Sequence, residues 1–212
     1  MRRPVFAGLI AVIVGALVIP IAIVVVRGVD TNVDGGAPQF PSASGVTPED
    51  LTLRLLVSLP DGSTAAEPDA TLSVLDIAAF AGPDAADRVR SGLVSDGIVA
   101  GRRRVYAGVD GTTTRIEVYQ FASVGGAVDA RRWAAQPWLV VPGGSFELAP
   151  VDLSNAVVMS TRVRDVQRRL ERGFIVPVGR YLVIVDVQGI DIDANRDQQI
   201  EIVRRQLASL AA

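Results

Sequence analysis

A stretch without charged side chains, residues 4–26, constrains the fold of this chain more than any other feature. At about 1.5 Å of rise per residue, a helix of this length matches a hydrocarbon core of about 30 Å. A cleavable signal peptide usually has a shorter apolar core followed by small residues, whereas this stretch ends in one Ile, three Val and Arg27. The sequence therefore predicts one uncleaved transmembrane helix, residues 1–27, whose partner is the lipid bilayer.

The charges on the two sides of this stretch predict its orientation. Arg2 and Arg3 precede it, whereas Arg27 after it is opposed by Asp30 and Asp34. Positive charge is enriched on the cytoplasmic side of membrane spans. We therefore expect a single-pass protein of the cell membrane, with a cytoplasmic N-terminus and an extracytoplasmic C-terminal domain.

The rest of the 212-residue chain is long enough for one domain of ordinary size. Residues 28–46 mix Gly, Pro, Ser, Asp and Asn without an apolar period, which is typical of a flexible linker. The predicted domain is then 47–212. At its start, Thr47 and Pro48 favour the beginning of a helix, but residues 51–59 alternate as a strand does, so both interpretations stay open.

Within the domain, apolar periods and turn residues predict an alternation of helices and hairpins. Residues 181–185 are apolar without alternation, which is typical of a central strand covered on both faces. The predicted fold class is α+β, a mainly antiparallel sheet covered by helices, with two similar helix-hairpin-helix halves as a possible arrangement. The predicted helices are 82–95, 124–135, 163–170 and 194–210, and the predicted strands are 98–109, 112–122, 156–159, 174–176 and 181–187, with a tight turn at 110–111.

The composition excludes most familiar catalytic sites. The chain has no His and no Cys, and every basic side chain is Arg. It therefore lacks the commonest general base, a thiolate nucleophile, a Schiff-base amine and the usual transition-metal ligands. We expect a protein that is not an enzyme, with no cofactor, no metal and no disulfide. A formal net charge of -2 also argues against nucleic acid as a partner.

Two tryptophans near the end of a predicted helix mark the best candidate binding surface. Trp133 and Trp138 flank a short segment with Pro137, and aromatic side chains there are suited to line a groove. Alternation places Glu117, Tyr119 and Phe121 on one face of a strand. Packing in the core is the alternative for these aromatic residues. The predicted ligand-binding residues are Trp133, Trp138, Tyr119, Phe121, Arg131 and Arg132.

Arginines are concentrated at several other places in the chain. Guanidinium groups suit phosphate or carboxylate, so lipid head groups or an acidic polymer are conceivable ligands. A solvated helix face, with acidic partners such as Asp165 and Glu171, is the alternative. These arginines are Arg102, Arg103, Arg104, Arg162, Arg164, Arg168, Arg169, Arg172 and Arg180.

Residues 191–197 begin like a calcium-binding loop, because acidic or amide side chains occupy every second position. The glycine expected at the sixth position is Arg196, and Glu201 comes one residue too early. The sequence therefore favours Asp193 or Asn195 as the N-cap of the last helix.

Residues 118–123, followed by Gly126, Ala127 and Trp133, carry a resemblance to a known class of proteins. The chain resembles small extracytoplasmic domains of actinobacterial envelope proteins, among them the lipoprotein and serine/threonine-kinase sensor domains of mycobacteria. Those relatives often carry Cys pairs or a lipobox, which this chain lacks. The resemblance implies an envelope-facing accessory or sensor domain, and it transfers no ligand or site residue.

Three functions remain open at this point. The first is a non-catalytic, membrane-anchored binding or interaction domain of the cell envelope, whose partner is an envelope protein or a lipid or glycan ligand. The second is an accessory structural subunit of a membrane protein complex. The third is a hydrolase that uses carboxylates, which requires two acidic side chains within about 10 Å in a cleft.

Overall fold

A computed structural model describes residues 46–80, 83–140, 143–161 and 169–211. All of them belong to one compact unit, Ala37–Ala212. The unit contains an antiparallel sheet with helices on both of its faces, as predicted for an α+β domain. Its strands are β1 (Thr64–Ala65), β2 (Ala70–Leu72), β3 (Ile98–Ala107), β4 (Thr113–Phe121), β5 (Gly144–Glu147), β6 (Val157–Thr161), β7 (Leu170–Val178) and β8 (Tyr181–Gly189). Its α-helices are α1 (Val74–Phe80), α2 (Pro83–Ser95), α3 (Val124–Val140) and α4 (Arg196–Ala211), and 3-10 helices occupy Leu51–Arg54 and Val151–Leu153.

The strands lie in the order β1-β3-β4-β8-β7-β6-β5, and β2 also pairs with β3. Strand β8 is therefore central, between β4 and β7, and its residues 182–187 are buried. This position agrees with the prediction for residues 181–185. An apolar run without alternation suits a strand that is covered on both sides.

The side chains of the strands point alternately to the two faces of the sheet, and a separate hydrophobic core lies on each face. On one face, Tyr119 and Phe121 of β4 pack with α1, α2 and α3. On the other face, Ile116 and Val118 pack with the first 3-10 helix and α4. Because successive side chains of a strand point to opposite faces, one strand supplies both cores. The domain consequently has three layers, with the sheet in the middle.

The first predicted helix-hairpin-helix unit is present as α2, β3, β4 and α3. Helix α2 is followed by Gly97, whose φ of +79° suits glycine after a helix end. The turn between β3 and β4 is wider than the predicted two-residue turn, because residues 108–112 separate the last paired residues, Ala107 and Thr113. Helix α3 extends past Pro137 to Val140, so Trp138 lies in a helix and not in a loop.

The second predicted unit is confirmed only in part. Its hairpin and its last helix are present as β7, β8 and α4, but its first helix conflicts with β7. Leu170 and Gly173, assigned from the sequence to the end of a helix, lie in β7, which pairs with both β6 and β8. Residues 162–168 lie outside the described part of the chain. Pairing with two neighbouring strands outweighs the weak helical period of Leu170. The described residues therefore do not support two similar halves.

The predicted fold class also placed a transmembrane helix before the sheet, and this requires correction. Within residues 46–80, 83–140, 143–161 and 169–211, no helix combines the length and hydropathy needed to cross a membrane. The predicted anchor, 1–27, and all but the last residue of the predicted linker, 28–46, lie outside the described residues. The fold class that the structure supports is an antiparallel sheet with helices.

The ambiguous segment at the start of the domain is neither an α-helix nor a strand. It forms the short 3-10 helix Leu51–Arg54, and the side chain of Asp50 accepts a hydrogen bond from Thr52 N at 3.0 Å. Leu51 and Leu55 enter the core below α4. Gln206 of α4 holds this segment, because its side chain accepts from Leu56 N at 3.0 Å and donates to Arg54 O at 2.7 Å.

Candidate functional site

A cavity of about 130 Å³ lies between the sheet and the helices α1 and α3. We call it the α3 cavity. One part of its wall is apolar, and another part carries charged side chains from β4 and β7. The apolar residues are Ile77, Ala134, Pro137, Trp138 and Ile184, and the charged residues are Arg115, Glu117 and Glu171.

The apolar wall depends on a close contact between α3 and β7. Trp138 is buried, and its ring lies directly over Gly173. A Cβ atom at position 173 would lie 2.5 Å from Cζ2 of the Trp138 ring, closer than van der Waals contact permits. Glycine at this position therefore lets the indole approach the strand and form one side of the cavity.

The charged wall is produced by strand register. Arg115 and Glu117 are two residues apart on β4 and therefore share a face. Arg115 is paired with Asp186 of β8 in the ladder, and its Nη2 donates to Asp186 Oδ2 at 2.5 Å. Arg115 Nε lies 3.5 Å from Glu117 Oε1. Glu171 of β7 completes the group, which we call the acidic cluster: Arg115, Glu117, Glu171 and Asp186.

Neighbouring polar side chains satisfy part of this cluster. Tyr119 donates its hydroxyl to Glu117 Oε2 at 2.7 Å, and Gln188 Nε2 donates to Glu171 Oε1 at 3.2 Å. Among the described residues, no donor forms a hydrogen bond with Glu117 Oε1 or Asp186 Oδ1. The side chains of Glu117 and Asp186 are only 6% and 1% exposed. Two buried carboxylate oxygens thus lack a hydrogen-bond donor within the part of the chain that the structure describes.

Burial controls the charge of Asp186. It raises the pKa of this carboxyl well above its usual value; the guanidinium of Arg115 opposes this shift, and the carboxylates of Glu171 and Glu117 reinforce it. Burial likewise raises the pKa of the Tyr119 hydroxyl, with a further contribution from Glu117. In a poorly hydrated site, a carboxyl tends to take up a proton when its neighbours are also acidic.

This raised pKa predicts an unusual pH dependence of stability. Folded Asp186 binds a proton more readily than unfolded Asp186, so this residue makes stability fall as the pH rises from about 4 towards the folded pKa. Asp186→Asn should remove this slope, which reaches at most about 1.4 kcal/mol per pH unit. Urea unfolding between pH 4 and 8 measures it, and the advantage of the variant should increase with pH.

The matched control is Asp152→Asn, at an exposed carboxyl whose hydrogen bond from Arg204 lowers its pKa. The pH dependence of stability contributed by Asp152 has the opposite sign to that of Asp186. The control variant should therefore lose stability relative to the unmodified chain once the pH exceeds the usual carboxyl pKa. Parallel profiles for Asp186→Asn and the unmodified chain would show that the Asp186 pKa is not raised by folding.

The structure brings only part of the predicted binding residues together. Trp138 lines the α3 cavity, and Tyr119 is joined to the cavity wall through Glu117. Phe121 lies on the same face of β4 and is completely buried in the core beneath the helices. No ligand contact has been tested for these residues, so their role as a binding site stays a prediction.

The other three predicted residues lie elsewhere on α3. Trp133 donates Nε1 to Asp96 Oδ2 at 2.9 Å, and the guanidinium of Arg132 lies 4.9 Å from the Trp133 ring centre. Arg131 donates Nη1 to Asn155 O at 2.7 Å and borders a separate surface depression with Val124 and Val128. None of the three lines the α3 cavity.

The described arginines do not form one basic patch. Arg104 pairs with Asp69, Arg172 with Glu147, and Arg180 with Glu49. Arg102 donates Nη1 to Thr71 Oγ1 at 2.5 Å. Arg162, Arg164 and Arg168 lie outside the described residues. Arg104, Arg172 and Arg180 lie in different parts of the fold, and each pairs with its own acidic partner. This fits the alternative interpretation of the arginines as separately paired side chains and not as one ligand site.

The segment 191–197 forms a turn before α4. Asp191 Oδ1 accepts hydrogen bonds from Asp193 N at 3.2 Å and Ala194 N at 3.1 Å. The Asp193 carboxylate pairs with Arg172, and Asn195, the other residue predicted as the N-cap, directly precedes α4. Within the described residues, no three acidic side chains are close enough to hold a metal ion.

Sequence reasoning missed Arg115, Glu171 and Asp186. The best available signal was Asp186 itself, which directly follows the apolar residues 181–185 and therefore extends a central strand with a charge. Arg115, Glu117 and Tyr119 also alternate along one strand face. Neither pattern reveals that β4, β7 and β8 place these charges side by side.

Comparison with known proteins gives weak structural similarity only. No protein family matches the chain, and no curated protein matches it. A solved structure, the extracellular domain of PknH from Mycobacterium tuberculosis, is similar with a TM-score of 0.45 and 14% sequence identity. The similarity covers 73% of this chain and 80% of that chain.

Proposed function

We propose that this chain is a non-catalytic, extracytoplasmic binding domain whose small-molecule ligand occupies the α3 cavity. The observation that carries the proposal is a cavity whose lining is partly apolar and partly formed by the acidic cluster, in which Glu117 and Asp186 are buried. Small-molecule sites typically combine mostly apolar surfaces with a few convergent polar groups. The α3 cavity has both features in one place.

The energetic cost of the acidic cluster supports the same proposal. Taking a charged group out of water costs several kcal/mol unless partners compensate for it. Glu117 and Asp186 are buried, and each keeps one oxygen without a hydrogen-bond donor among the described residues. A cluster that costs stability in this way is a candidate for a functional site.

The extracytoplasmic location of the domain is part of the proposal. It is supported by the uncharged residues 4–26, which would attach the chain to a membrane, and by Arg2 and Arg3 before them. A protease added to intact cells should digest the domain. If the domain is spared in intact cells and digested only in opened cells, the extracytoplasmic location is wrong.

Ligand binding in the α3 cavity should raise thermal stability. A ligand present at a hundredfold excess over its Kd adds about 2.7 kcal/mol, which corresponds to roughly 5–10 °C in Tm for a domain of this size. Thermal unfolding of the full chain with envelope lipids, glycans and metabolites measures this shift. Ala134→Leu should abolish it, because Ala134 lines the cavity and the larger side chain fills it.

The matched control is Val128→Leu, an enlargement of a partly exposed side chain on the same helix that does not line the α3 cavity. This variant should keep the full ligand-induced shift. A stabilising ligand whose shift survives Ala134→Leu unchanged would bind elsewhere, and the proposed site would then be wrong.

A carboxylate-dependent hydrolase is the second candidate, favoured by one observation. Glu117 and Glu171 line the same cavity, and the adjoining Asp186 has a raised pKa. A protonated acid beside an ionised carboxylate is the arrangement that acid-base hydrolysis uses. Turnover of an ester or glycoside that disappears in Glu117→Gln would favour this candidate over a binding domain.

A further inference from the structure

The described charges around the α3 cavity do not balance. Glu117, Glu171 and Asp186 contribute three carboxyl groups, against the single guanidinium of Arg115. Burial favours the neutral form of Asp186. Even with Asp186 protonated, the two glutamates and Arg115 leave one formal negative charge uncompensated within the described cluster.

The cluster also contains a buried acceptor beside the cavity. Glu117 lines the cavity with its side chain 6% exposed. Its Oε1 lies 3.5 Å from Arg115 Nε in an ion pair but accepts no hydrogen bond from a described residue. A buried acceptor without a donor is unfavourable, and a ligand that supplies an N–H group would relieve that cost. Charge and hydrogen bonding therefore both favour a donor with a positive charge.

The apolar part of the wall determines the rest of the ligand. Ile77, Pro137 and Trp138 come from the helices, and Ile184 pairs with Glu117 in the sheet. The volume of about 130 Å³ admits a small molecule only. For comparison, an apolar protein cavity of about 150 Å³ is large enough to hold benzene.

On the basis of the proposed binding function, we propose that the α3 cavity binds a small organic monocation, an amine or amidine that carries a compact apolar group. Its N–H groups donate to Glu117 and Glu171, and its apolar group contacts Ile77, Pro137 and Trp138. An organic cation is favoured over a metal ion because the described acidic side chains include no group of three that could hold a metal.

Three small molecules with the same branched carbon skeleton test which charge on the ligand the cavity prefers. They are isoamylamine, isoamyl alcohol and isovalerate. The full chain is labelled with fluorotryptophan, which gives two fluorine NMR lines, since the chain has two tryptophans. Trp138 lines the cavity, whereas Trp133 does not and serves as the internal control. A Trp133→Phe variant assigns the lines.

Isoamylamine should shift the Trp138 line saturably, with a Kd about tenfold or more below that of isoamyl alcohol, and isovalerate should bind weakest. The Trp133 line should not move. Equal binding of amine and alcohol, or tighter binding of isovalerate, would overturn the cationic ligand while leaving a binding cavity in place. If no probe shifts the Trp138 line, the proposed binding function fails as well.

A second experiment removes one carboxylate charge of the cavity at a time. Glu117→Gln and the partly exposed Glu171→Gln should each weaken isoamylamine about tenfold and leave isoamyl alcohol unchanged. Glu67→Gln, at an exposed glutamate away from the cavity, is the matched control and should change neither. If isoamylamine binds both cavity variants with unchanged affinity, Glu117 and Glu171 are not the groups that bind the cation. Glu171→Gln keeps the test valid if Glu117→Gln does not fold.

Discussion

Arg172→Met should lower the free energy of unfolding by about 3–5 kcal/mol, the usual effect of breaking a buried ion pair. The Arg172 side chain is only 3% exposed, and its guanidinium donates to both Glu147 oxygens, at 3.0 and 3.1 Å. It also donates to Ile192 O at 2.7 Å and Gln199 Oε1 at 3.0 Å. The substitution therefore leaves several acceptors from β5 and α4 without a donor.

Urea unfolding of the full chain measures this effect, with Arg204→Met as the matched control. Arg204 pairs with Asp152 at 2.7 Å, but both side chains are about half exposed, so the control should change stability little. The two substitutions are chemically identical and differ in burial. A loss for Arg172→Met no larger than that of the control would show that the Arg172 contacts contribute little to folding.

Arg115→Met should also cost about 3–5 kcal/mol at pH 7, because it removes the guanidinium from a group of three carboxyls of which two, Glu117 and Asp186, are buried. The loss should shrink at low pH. Without Arg115, the folded carboxyls bind protons more tightly than the unfolded ones, so stability falls as the pH rises and recovers as they become protonated. Urea unfolding at pH 4 and pH 7 measures both values.

The double variant Arg115→Met/Asp186→Asn is the control for this interpretation. The second substitution replaces a carboxyl with an uncharged amide, so the double variant should regain part of the stability lost in Arg115→Met at pH 7. If the second substitution adds its own loss instead, Arg115 stabilises the fold through packing and not through the charge of Asp186. A loss that is equal at pH 4 and pH 7 would contradict the electrostatic explanation.

The sequence predicts most of the longer elements, with the beginning of β7 as the exception, and it does not predict the short ones. The alternating residues of β3 and β4 and the apolar faces of α2 and α4 were recognised. The two-residue strand β1, the three-residue strand β2 and the short helix α1 were not. Elements this short contain too few residues for a period to stand out, and they form because the neighbouring strand β3 and helix α2 support them.

Of the six predicted ligand-binding residues, Trp138 is the one that lines the α3 cavity. The sequence predicts it as an aromatic residue near the end of a helix. Trp133, five residues earlier, was chosen by the same reasoning but lies against Asp96. The helical extension through Pro137 separates the two rings, and this extension was not predicted because proline usually weakens a helix interior.

Local patterns in the sequence determined which residues alternate, which strand is central and that an antiparallel sheet carries helices, because these properties follow from the spacing of apolar side chains. Tertiary structure alone decided that Arg115, Glu117, Glu171 and Asp186 meet beside Trp138. The meeting requires the pairing of β4 and β7 with β8, and Gly173 must allow α3 to approach the sheet. The buried charge of the cavity is therefore a property of strand register, which no single segment encodes.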